Sequence, residues 1–132
     1  MIVKYSSSYL TISVYPEKSC IIQTWRGYCS SEEFRSGQLK AVELFVENQC
    51  ANFICDATNA TPLAEDDIVW AAGAITPKLR DAAMGTLNIV VPSSVYTRMT
   101  LDLYEKKEML VRNTAINYFG SLDSALNSLS MC

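Results

Sequence analysis

A chain of 132 residues, 49% hydrophobic and 19% charged, has the size and composition of one globular domain that needs no metal or disulfide staple. Its net charge of −3 and its scattered Lys and Arg residues argue against a nucleic-acid partner and against an anionic membrane surface. Histidine is absent, which removes the commonest general base near pH 7 and lowers the expectation of catalysis without abolishing it.

In chain order, Tyr9 to Val14 alternates apolar and polar side chains, the period of a half-buried strand. Pro16-Glu17-Lys18-Ser19 is a turn, and Cys20 to Trp25 reads as the returning strand of a hairpin. Arg26-Gly27-Tyr28 leaves the sheet. Ser30 or Ser31 then supplies an N-cap oxygen, and Glu33 stands three residues after Ser30 as a capping box requires. Such a cap contributes about 1 kcal/mol. The helix it opens runs to about Asn48, with Phe34, Leu39, Val42, Phe45 and Val46 as its apolar stripe. Gly37 reads as a weak spot in it, costing about 1 kcal/mol relative to alanine.

Ala51 to Asp56 is a buried strand, and the polar connection after it leads into Glu65-Asp66-Asp67, which open a helix to about Ile75. Pro77 ends that helix or starts a further turn, with Gly85 as the stop. Thr86 to Val91 is almost uniformly apolar, as in a strand covered on both faces. Pro92-Ser93-Ser94 leads into a helix through about Met109. Val111 to Phe119 is strand-like, and a serine-capped helix over Leu122 to Leu129 closes the chain. The order β-β-α-β-α-β-α-β-α predicts a single-domain α/β fold: a mixed, largely parallel sheet with an N-terminal β-hairpin and packed helices.

The five cysteines (Cys20, Cys29, Cys50, Cys55, Cys132) are an odd set without C-x-x-C spacing, so neither a disulfide framework nor a zinc site is expected. No leader or membrane span is evident, and the reading is a reduced, cytoplasmic protein. No cofactor or metal is expected.

The strand ending at Asp56, the acidic helix start, the segment Asn88-Ile89-Val90-Val91-Pro92 and the closing Tyr118-Phe119-Gly120-Ser121-Leu122-Asp123-Ser124-Ala125-Leu126 together resemble the STAS-like (SpoIIAA-like) domains, relatives of bacterial anti-sigma-factor antagonists. The resemblance runs from Tyr9 onward through element order and weak motifs. It implies a non-catalytic regulatory or scaffolding module that binds a partner protein or a small ligand. In that family a serine at the helix start after the Asp-ending strand is phosphorylated; this chain has Ala64-Glu65-Asp66-Asp67 there and lacks that serine and the glycine after it.

The loop at a strand's C-terminal end is where such folds expose functional groups. The binding candidates are therefore Asp56, Thr58, Thr61, Glu65, Asp66 and Asp67, extended by Trp25 and Arg26 and by Ser93 and Ser94 at the next strand end. Each has a plainer role. The acids complement the helix dipole, Asp56 and Thr58 suit an Asx-turn, and Thr61 beside Pro62 suits a turn. Trp70 suits packing between helix and sheet. Trp25 and Arg26 suit an exposed protein-binding cluster, and Tyr5, Tyr9 and Tyr28 beside the hairpin edge suit a homodimer. One alternative is a small apolar or lipid-like ligand held between helices and sheet. Another is an enzyme using carboxylate or thiolate chemistry, with Cys29 activated by nearby Arg26.

Overall fold

A computed structural model describes residues 1–61, 64–92 and 116–129. The elements are β1 (Ile2–Ser6), β2 (Leu10–Tyr15), a 3-10 turn (Pro16–Lys18), β3 (Cys20–Gly27), α1 (Ser31–Glu47), β4 (Asn52–Ala60), α2 (Glu65–Ala74), α3 (Thr76–Asp81), β5 (Thr86–Val90), β6 (Ile116–Phe119) and α4 (Leu122–Asn127). The strands form one six-stranded sheet in sequence order. β1–β2 and β2–β3 pair antiparallel, and β3 to β6 run parallel. The mixed α/β fold expected from the pattern is the fold observed. The expected helix after Pro92, and the start of the strand expected from Val111, lie outside the described residues.

Helices cover both faces of the sheet. On one face, Leu10, Ile12, Val14, Ile21, Trp25 and Phe53 meet Phe34, Ala41, Leu44 and Phe45 of α1, with Ile75 and Leu79 closing the layer. On the other, Cys20, Ile22, Ile54 and Val90 pack on Ala125 of α4. The faces separate because side chains alternate along each strand, so Ile21 and Ile22 are both buried but in different layers. Each large apolar side chain removed from water in this way stabilises the fold by about 1.5–3 kcal/mol.

The structure corrects several expectations. β1 is an additional strand that the sequence reading left unassigned; it lies at the edge of the sheet, and most of its side chains are exposed. The buried stripe of α1 is Phe34, Gly37, Gln38, Ala41, Leu44 and Phe45, whereas Leu39 and Val46 face outward. Gly37 is a point of close approach and no weak spot: a Cβ there would lie 2.7 Å from both Leu10 Cδ2 and Trp25 Cη2. The polar member of that stripe is satisfied, since Gln23 Nε2 donates to Gln38 Oε1 at 3.1 Å and Trp25 Nε1 donates to Gln23 Oε1 at 3.3 Å. Pro77 sits in the first turn of α3, where its missing N–H is harmless. That helix stops at Asp81, with Ala83 left-handed at φ 65°; Gly85 instead donates its N–H to Ala51 O at the entry to β5.

β4 does not end at Asp56. It continues to Ala60, pairing Asn59 with Arg26 and Ala60 with Gly27 after a register shift, while its pairing with β5 stops at Asp56 and Val90. The strand therefore overhangs its neighbour at the C-terminal rim of the parallel strands, from which α1 and α2 also start.

Candidate functional site

The rim is built from the ends of β3 and β4 and the first turns of α1 and α2. The α1 start is closed by its own sequence: Ser30 Oγ accepts from Glu33 N at 3.1 Å, and Glu33 Oε1 accepts from Ser30 N at 2.9 Å. The α2 start has Ala64 at its N-cap and no side-chain cap.

Asp56, the last residue of β4 paired on both sides, turns its carboxylate onto the overhang. Oδ1 accepts from Thr58 N at 3.0 Å and from Thr58 Oγ1 at 2.6 Å. This is the Asx-type arrangement expected of that pair, and it pins the register shift. Thr58 and Thr61 are exposed, and the Thr61 N–H donates to Gly27 O at 3.0 Å. That bond joins the end of the overhang to the point where β3 leaves the sheet, next to Tyr28, a large hydrophobic side chain that is 76% exposed.

The three acids at the α2 start separate. Glu65 opens the helix. Asp66 is exposed and has no hydrogen bond or ion pair among the described residues. Asp67 is 4% exposed and turns away from solvent. Its Oδ2 accepts from Ser31 Oγ at 2.8 Å, and its Oδ1 accepts from Arg35 Nε at 3.2 Å. The Arg35 guanidinium lies 5.0 Å from the Trp70 ring centroid. A buried carboxylate persists because a hydroxyl and a cation satisfy it. Asp67 thus clasps α2 to α1 and offers no free group at the surface, so the expected trio of exposed acids is not present as such.

Trp25 is likewise withdrawn. It is 5% exposed, lies 5.4 Å from Phe34 and stacks on Tyr9 at 6.4 Å between ring centroids. Arg26 is tied to β2 and to the β1–β2 connection, donating from Nη1 to Thr11 Oγ1 at 2.9 Å and from Nη2 to Ser7 O at 2.7 Å. The expected exposed Trp–Arg cluster is therefore a piece of core and a strand tie. Tyr5 and Tyr9, taken as exposed from the sequence, pack against the core, and Tyr28 alone of the three is open. Ser93 and Ser94 lie outside the described residues.

The expected activation of Cys29 is reversed. Burial raises its thiol pKa, and the nearby Glu33 and Asp67 carboxylates raise it further. Burial also pushes Cys55 up to about 12, with Asp56 adding to the rise and a hydrogen bond from Trp25 opposing it. These thiols are held protonated, the opposite of what a nucleophile needs. Among the described residues no group of three or more Cys, Asp or Glu side chains is placed to hold a metal ion. Nor is any described helix long and apolar enough to cross a membrane.

The groups exposed at the rim are a carboxylate at Asp66 that is unpaired among the described residues, hydroxyls at Thr58 and Thr61, the ring of Tyr28, and an apolar outward face on α2. Ile68 is 44% exposed and Val69 is 63% exposed on that face. Neither residue is among the contacts expected from the sequence. The available signal was the uninterrupted apolar stretch from Ile68 to Ala74, too much apolar sequence for one side of a surface helix to bury. No protein-family model matches this chain, and no curated protein matches it in sequence.

Proposed function

We propose that the chain is a non-catalytic, cytoplasmic module of bacterial STAS-like type that regulates or scaffolds by binding a partner protein at the rim formed by Thr58, Thr61, Asp66 and the outward face of α2. The observation that carries this reading is the pairing of exposed Ile68 and Val69 with the Asp66 carboxylate, exposed and unpaired among the described residues, on a helix fixed in place by the Asp67 clasp. Exposed apolar residues rimmed by polar ones mark interaction sites, and a pre-ordered surface loses little entropy on association. The element order, with an antiparallel start followed by parallel strands and helices on both faces, accords with the STAS-like resemblance. The missing phosphoacceptor means that a carboxylate, Asp66, stands where that family places a switchable serine. The contact is then constitutive, because a carboxylate cannot be toggled and carries about half the charge of a phosphate.

Quantitative affinity purification from the native cell tests this reading. Wild-type protein retains a partner that Asp66→Lys combined with Val69→Ser loses, while Glu17→Lys, in the turn between β2 and β3, leaves retention intact. Equal retention by all three proteins removes the rim from the account.

A further inference from the structure

We draw no further inference here: the strongest candidate, the open apolar cleft of about 420 Å³ between the C-terminal ends of α1 and α3, lined by Phe45, Val46, Cys50 and Ala82 among others, carries nothing because nothing in the structure shows what covers it.

Discussion

Asp67 and Arg35 join two helices across 32 residues of sequence, through one bond of 3.2 Å between a side chain that is 6% exposed and one that is 41% exposed. The inequality sets the energetics. Arg35 can return to water if its partner is lost, and Asp67 cannot. Asp67→Asn keeps an acceptor for Ser31 and should cost about 1–2 kcal/mol. Arg35→Ala leaves the buried carboxylate with Ser31 alone and uncovers Trp70, so it should cost more, about 2–3 kcal/mol. The double variant should lose less than the sum of the two. Urea denaturation of the four proteins measures this cycle; two small, additive losses would mean that the clasp does not hold α2.

Gly37→Ala separates helix propensity from packing. Propensity favours alanine by about 1 kcal/mol in a helix interior. The new methyl would meet Leu10 and Trp25 at 2.7 Å, and Trp25 has little room to yield because Tyr9 and Phe34 flank its ring. Overpacking of this kind costs about 1–3 kcal/mol, so a net loss of stability is expected. A raised melting temperature for this variant would show that α1 does not approach the sheet so closely.

Much of this architecture was legible. The hairpin strands fall where the sequence pattern puts them, although both are covered on their two faces rather than half-exposed, and the Ser30–Glu33 spacing announces the start of α1. What escaped was non-local. Trp25 stands beside Arg-Gly near the end of β3, a context that reads as exposed, and it is buried by residues on other elements: the notch left by Gly37, the ring of Phe34 and the ring of Tyr9. Asp67 looks the same as Asp66 in sequence; Ser31 and Arg35, far earlier in the chain, distinguish them. β1 carries almost no burial pattern, and the β4 overhang from Thr58 to Ala60 is held by backbone pairing to β3, for which composition gives no sign.

The buried thiols make a prediction about alkaline stability. Burial pushes Cys20 and Cys55 from an ordinary value of 9.0 to about 12, and it also raises Cys50. Below pH 9 both folded and unfolded chains keep these protons, and the thiols add no pH dependence. Between pH 9 and 12 the unfolded chain has released them and the folded chain has not, so rising pH favours unfolding. Urea midpoints should therefore fall steadily from about pH 9 upward, and Cys20→Ala should reduce the proton release on unfolding by about one. An unchanged slope in that variant would mean that the Cys20 thiol ionises as freely in the folded protein as in the unfolded one.

Asp66→Lys should leave the fold nearly untouched. The residue is exposed in the first turn of α2, so the change loses only a favourable dipole contact and adds an unfavourable one, together about 1 kcal/mol. Circular dichroism melts should place it near wild type and well above Arg35→Ala. Unfolding as severe as that of Arg35→Ala would mean that Asp66 is a structural residue and not a surface one.

Hydrogen exchange, measured on the protein alone and in complex with the partner it retains, tests the central claim most directly. Slower exchange on complex formation is expected across Thr58–Thr61 and Asp66–Gly73, with β1 and α4 unchanged. Protection confined to β1, to α4 or to the cleft beside Cys50, with none along α2, would contradict it.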